Sequence, residues 1–422
     1  MKLSPDEGLR FSRREWLAIA ALSASAPLGL SRRVMAQDTA ADSVERRIAT
    51  LVREYEQQGF HRTGTAVDQQ SADWLCEQVL QAGLVPTRES FSLDRVDLVS
   101  NTLIVGDRHI EGIPLFDSAF TDARGVRGRL GGLETNAAIG LAETPTNAAA
   151  TGALGDARRS NRHEAIVALT RGRRPGLCPS NADSFQQPFG PPVLQVSSEE
   201  STWLRDQAQR GNEVQLIAQV TRTAATAINV TAAIPGAHPD RPPLVVMTPR
   251  SGWYWCASER GGGIACWLEV MRSLHATRPS RPVLFVASSG HELGHLGINA
   301  FIDRRPGVVA QAAGWIHLGA NIGAATDPAT TLQASDDEFE AALTRAMTSS
   351  GLNVDRRIPR GTIPNGEAEA VHRGDGRYVS VIGGNGLFHH LDDRGPHTVN
   401  PIAIEKFSTA FIALARTMAG AA

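Results

Sequence analysis

The chain has almost no lysine: Lys2 and Lys406 are the only two in 422 residues. Its positive charge is carried by scattered arginines, and the formal net charge is -2. No basic stripe forms, which argues against a nucleic-acid partner. Long apolar runs are missing as well. Beyond the N-terminal segment, no stretch is apolar for the roughly 20 residues a bilayer crossing needs, so no membrane span is expected after processing. Cysteine is sparse: Cys76, Cys178, Cys256 and Cys266 match the spacing of no metal knuckle. Small buried hydrophobes and oxidised pairs are both open to them, and sequence alone does not choose a pairing.

What remains is an ordinary globular composition, 42% hydrophobic and 20% charged, long enough for two or three domains. The N-terminus reads as an address. Ser12-Arg13-Arg14-Glu15-Trp16-Leu17 precedes an apolar run from Ala18 to Leu30 and then Val34-Met35-Ala36. This resembles a twin-arginine export signal cleaved after Ala36, which implies a periplasmic or secreted mature chain.

The remaining chain is organised around Arg281 to Ile302. Val283 to Ala287 is a short apolar run, the pattern of a strand buried on both faces. Ser288, Ser289 and Gly290 end it, and a helical pattern follows. The strand therefore delivers His291, Glu292 and His295 to its C-terminal edge, where open α/β sheets bind ligands. Read literally, HExxH places His291 and His295 one helical turn apart to grip zinc, with Glu292 as general base. The bland alternative is that the three merely cap a helix.

Before this stretch, helices are expected around residues 44–55 and 74–82, and short strands at Glu89 to Leu93 and Asn101 to Gly106. From 107 to 222 glycine, alanine, asparagine and proline are frequent. Strands at 165–169 and 192–196 and a helix from 198 predict a small α/β insert, of the kind that commonly walls a cleft. Strands and helices then alternate from 227 to the end, which predicts a mostly parallel sheet covered by helices on both faces. The divisions are a signal peptide (1–36), a first part of the main domain (37–106), the insert (107–222) and a second part (223–422).

Four segments in this order, NVTAAIPG, PLVVM, ASERGGGIACWLEV and LFVASSGHELGHLGINAFI, together with Arg62-Thr63-Gly64-Thr65 before a helix, resemble the zinc aminopeptidases of metallopeptidase clan MH, relatives of glutamate carboxypeptidase. The insert resembles a protease-associated domain at the matching place. The resemblance implies an α/β zinc-peptidase-like fold over about residues 44 to 420. It also implies two zinc ions sharing a carboxylate and a glutamate general base.

Carried across residue by residue, the match is partial. Thr248 takes the place of the first histidine ligand and Gly319 that of an aspartate ligand. Glu259 falls on the bridging carboxylate, His291 on the general base, Glu292 on the adjoining ligand, and His389 or His390 on the last histidine. The resemblance therefore implies one zinc ion rather than two, held by Glu292, His389 and a third group. Glu259, His295 and His317 are the candidates for that third group, His317 because it projects to the same side of its strand as Gly319. His291 or Glu259 would then act as base. Arg250, Glu367 and His372 are expected to meet substrate. The aromatics Trp253, Tyr254 and Trp255 stand beside Arg250 in a chain only 5% aromatic, as a pocket wall or as interface cover. Gly261-Gly262-Gly263 lacks the lysine and spacing of a phosphate loop, so close helix packing is its better explanation.

Three functions follow from this reading. The leading one is an exported, metal-dependent hydrolase of peptide or amide substrates. The alternative is a binding or scaffold protein on a peptidase fold that has lost its metals. Single-zinc acyl transfer of the glutaminyl-cyclase kind is the third, and Gly319 counts against it.

Overall fold

The computed structural model describes residues 44–146 and 149–421. The export signal expected at residues 1–36 lies outside the described residues. The chain begins with helices α1 (Val44–Glu56) and α2 (Ala66–Gln81) and strands β1 (Thr87–Val105), β2 (Arg108–Glu111), β3 (Ile113–Pro114), β4 (Val126–Gly132) and β5 (Ile139–Pro145). Helix α3 (Gly152–Ser160), strands β6 (Ala165–Arg171) and β7 (Val193–Val196), helix α4 (Ser201–Arg210) and the long strand β8 (Glu213–Ile234) follow. Then come β9 (Leu244–Pro249), α5 (Ala257–Thr277), β10 (Val283–Ser288), α6 (Leu296–Asp303), α7 (Val308–Gln311) and β11 (Gly314–Leu318). The chain closes with β12 (Thr330–Ala334), α8 (Asp337–Ser349), β13 (Arg356–Arg357), α9 (Ala368–Arg373), β14 (Tyr378–Gly383) and α10 (Pro401–Ala419).

Strands β14, β11, β9 and β10 lie side by side and parallel. Antiparallel β12 and β8 flank them. The near-continuous apolar runs are explained by burial on both faces. In β9, Leu244 and Val246 pack under α1, α2, α5 and α10, while Val245 and Met247 pack with Phe301 and Val371 on the opposite side. Each fully buried side chain of this size contributes about 1.5–3 kcal/mol, so burial on both faces is a large part of what holds the parallel centre. Helix α5 is buried nearly all round, and its Trp267 indole donates to the Val246 carbonyl at 3.1 Å.

The two strands expected at 89–93 and 101–106 are one continuous strand, β1, because residues 94–100 stay paired with β8 through a single register shift. Its exposed polar residues broke the apolar pattern without breaking the ladder. Together β1 and β8 run from the parallel centre into the region built on β4 to β7. There β4, β5, β6 and β7 form a parallel set around a second core of Leu130, Val167, Leu194 and Leu216. Among the described residues no helix is long and apolar enough to cross a membrane.

Candidate functional site

The C-terminal ends of β9, β10, β11 and β14 open on one edge, where α5 also begins. The turn after β10 departs from the expected helix. His291–Leu293 is a single 3-10 turn, and Gly294 and His295 both adopt left-handed conformations with φ of 73° and 59°. A Cβ at Gly294 would stand 2.6 Å from the Asp183 carbonyl oxygen, so the chain must turn here on a residue without one. His291 and His295 consequently do not share a helical face, although their rings approach to 5.1 Å.

Two groups of buried polar side chains result. The first centres on Glu367, which is fully buried. Its Oε1 accepts from His291 Nδ1 at 2.9 Å and its Oε2 from His317 Nε2 at 3.2 Å. His317 Nδ1 then accepts a hydrogen bond from the Ser380 hydroxyl at 2.8 Å. These tautomers follow from the carboxylate having only acceptors to offer. Burial pushes the Glu367 carboxyl up, but His291 and His317 outweigh it and hold the group well below its usual range. Burial and the nearby Arg260 charge push His291 down to about 3, against the pull of Glu367. His291 is therefore a neutral imidazole whose Nε2 is left for a ligand. It lines a cavity of about 400 Å³ together with Asn181, Asp183, His295, His317 and Glu369.

The second group lies at the start of α5. Asp393 accepts from Ser258 N at 3.0 Å and Glu259 N at 2.9 Å and so fixes this helix end. The Glu259 carboxylate is buried beside Arg260, whose Nη2 is 2.8 Å from Oε1. The pair is electrostatic rather than a directed hydrogen bond, since neither group finds a well-angled partner there. Burial pushes the Glu259 carboxyl up while the Arg260 charge pulls it down. His389 Nε2 lies 3.7 Å from the same oxygen. Its Nδ1 donates to the Pro179 carbonyl at 2.6 Å, which leaves Nε2 bare. Burial and Arg260 push this ring down to about 3.

Glu292 is buried, but its two oxygens accept from Thr63 N and Ser251 Oγ, each at 2.7 Å, so they tie β10 to the start of α2. Arg250 is a buried brace on Asp68 and the Ile228 carbonyl, at 2.9 and 2.7 Å, and does not line the cavity. His372 lines a separate, wider depression with Asp336 and Tyr378. His390 instead approaches the Pro175 carbonyl at 2.9 Å. The sequence reading missed Asn181 and Asp183, which reach the cleft from the segment between β6 and β7. It missed Arg260 too, although a basic residue directly after the expected bridging carboxylate was a visible signal.

Among the described residues no group of three or more His, Cys, Asp or Glu side chains is arranged to hold a metal ion. Thr248 and Gly319 offer no strong ligand, the Glu292 oxygens are committed to N–H and O–H donors, and a guanidinium adjoins Glu259. The donor set does not fit.

No protein-family model matches the chain, and no curated protein matches it in sequence. Solved structures do. The zinc aminopeptidase BSAP from Bacillus subtilis superposes with a TM-score of 0.72 at 16% identity, covering 88% of this chain and 94% of that one. An aminopeptidase from Aneurinibacillus sp. strain AM-1 gives 0.68 at 13%, covering 89% and 94%. A peptidase M28 precursor from Shewanella amazonensis gives 0.65 at 15%, covering 90% and 96%. The chain has the zinc-aminopeptidase fold over nearly its whole described length.

Proposed function

We propose that the chain is a peptidase-fold binding protein that takes a peptide- or amide-bearing ligand in the cleft without a metal. The donor set at the strand edge carries this reading, because its carboxylates are already satisfied or neutralised from within the chain. The cleft offers acceptors instead: the bare His291 Nε2, the Asp183 carboxylate and the Glu369 oxygen that Arg373 does not hold. Such a set suits a ligand rich in N–H groups. The N-terminal sequence, with Arg13-Arg14 and Val34-Met35-Ala36, supports export and a periplasmic or secreted location.

The single-zinc hydrolase is the second reading, and one observation favours it. Glu259 Oε1 and the bare His389 Nε2, both acceptors, face each other at 3.7 Å, an arrangement a cation would satisfy. A catalytic zinc needs a third protein ligand. Glu292 would have to abandon Thr63 and Ser251 to provide it.

Elemental mass spectrometry on purified residues 37–422, beside Glu292→Ala and His291→Ala, separates the two. The binding reading expects no stoichiometric metal in any of the three. It also expects peptide binding by calorimetry that His291→Ala weakens by about tenfold. Near one zinc per chain, lost in Glu292→Ala, would establish the hydrolase instead.

A further inference from the structure

We propose that Arg260 is a tethered cation: its guanidinium neutralises Glu259 where a metal would otherwise do so, and its presence keeps divalent metal from the Glu259–His389 pair. The inference rests on the metal-free reading above and supplies its physical cause. Arg260 is held rigidly for the task. Its Nε donates to the Ser251 carbonyl at 2.7 Å, and it follows Glu259 directly on the first turn of α5, which Asp393 anchors. Its Nη2 then stands 2.8 Å from Glu259 Oε1, on the oxygen that His389 Nε2 faces at 3.7 Å. The guanidinium is fully buried and neither of its Nη atoms has a directed hydrogen bond, so its charge is compensated electrostatically, first by the adjoining Glu259 carboxylate and less by Glu367. A buried charge of that kind is costly unless it is paired. Conversely, a divalent ion approaching the same carboxylate would meet a fixed positive charge at close range in a weakly screened interior. Arginine suits the place because its planar, permanently charged head cannot shed its proton to make room.

The test is a double-mutant cycle in the mature chain with Glu259→Gln, Arg260→Met and the double variant, each measured by thermal midpoint with and without 1 mM zinc, a concentration of order ~100 Kd for a weak site. Each single variant is expected to melt lower than wild type, and the double variant well above the sum of the two losses, because it leaves no unpaired charge. Zinc should leave the wild-type midpoint in place and raise that of Arg260→Met by about 5 °C, a rise absent in the double variant. Additive losses, or no zinc effect on a folded Arg260→Met, would overturn the proposal. If Arg260→Met does not fold, a folded double variant still supports the coupling, and an unfolded one overturns it. Failure of the binding reading looks different. A wild-type chain that binds no peptide while the cycle shows coupling would sink that reading and leave the tethered cation standing. Stoichiometric zinc in the wild type would sink both.

Discussion

Glu367 has no contact with water and is nonetheless held as a carboxylate, because one imidazole N–H reaches each of its oxygens. Replacing it by glutamine would leave an acceptor for one ring and an unwanted N–H donor for the other. Glu367→Gln is therefore expected to cost about 1–3 kcal/mol in urea unfolding, the penalty for an unsatisfied buried polar group. It should also weaken peptide binding by releasing the His291 ring. The same ring gives a pH dependence with a defined sign. Folded His291 titrates at about 3, whereas an unfolded histidine titrates near ~6.5. Between those values only the unfolded chain takes up the proton, so this contribution to stability is complete above about pH 6.5 and is lost as pH falls towards about 3. Asp393, pushed up to about 6 by burial, works in the opposite direction over part of that window. A comparison with a variant isolates the histidine. Between pH 7 and pH 5 the wild type should lose about 1–2 kcal/mol more than His291→Gln, measured from urea midpoints at the two values.

Helix α5 shows at the scale of an element why three glycines persist where helix propensity alone would choose alanine. A Cβ on Gly261 would meet Val52 of α1 at 2.9 Å, and one on Gly263 the Thr248 hydroxyl at 2.8 Å. One on Gly262 would run into the Ile322 carbonyl oxygen, which is backbone and has little room to yield. Gly262→Ala gains about 1 kcal/mol of propensity and is still expected to lower stability by about 2 kcal/mol or more, since overpacking outweighs it. A midpoint equal to or above wild type in urea would refute that close approach. This packing was legible in the sequence, as were the parallel strands and their buried helices, since two-sided burial leaves continuous apolar runs. The turn after β10 was not. HELGH carries the spacing of a helix face, and long-range contacts, among them the bonds of the Gly290 and His291 amides to Ser251 and the close approach of Gly294 to Asp183, more than a hundred residues earlier, hold the chain off that path. Arg250 escaped for a related reason. An arginine at a strand end reads as a ligand contact until its long-range partner Asp68 is known.

The region built on β4 to β7 bears on the whole molecule because it completes the cleft. The Ala182 amide donates to the Glu292 carbonyl at 2.8 Å, Asn181 accepts from the Trp253 indole at 3.1 Å, and the Pro179 carbonyl orients His389. One wall of the site is thus built by residues 179–183, which are covalently remote from the parallel strands. What holds that wall lies deeper in the same region. Arg158 on α3 pairs with Asp117 at 2.8 Å, both fully buried, and the second oxygen of Asp117 accepts from Ser184 N at 3.0 Å. Removing one member of a buried pair strands the other charge, at a cost of about 3–5 kcal/mol. Arg158→Met should therefore destabilise the region built on β4 to β7 by that order. Because Asp117 is the anchor of Ser184, it should also loosen the Asn181–Asp183 wall and reduce peptide affinity, although Arg158 itself does not line the cavity. Hydrogen exchange read amide by amide distinguishes this from general unfolding. Protection should fall at Ser184 and through residues 180–185 while the amides of β9 and β11 keep theirs. Equal loss in both places would mean that the two regions unfold as one unit, and that the wall is not separately held.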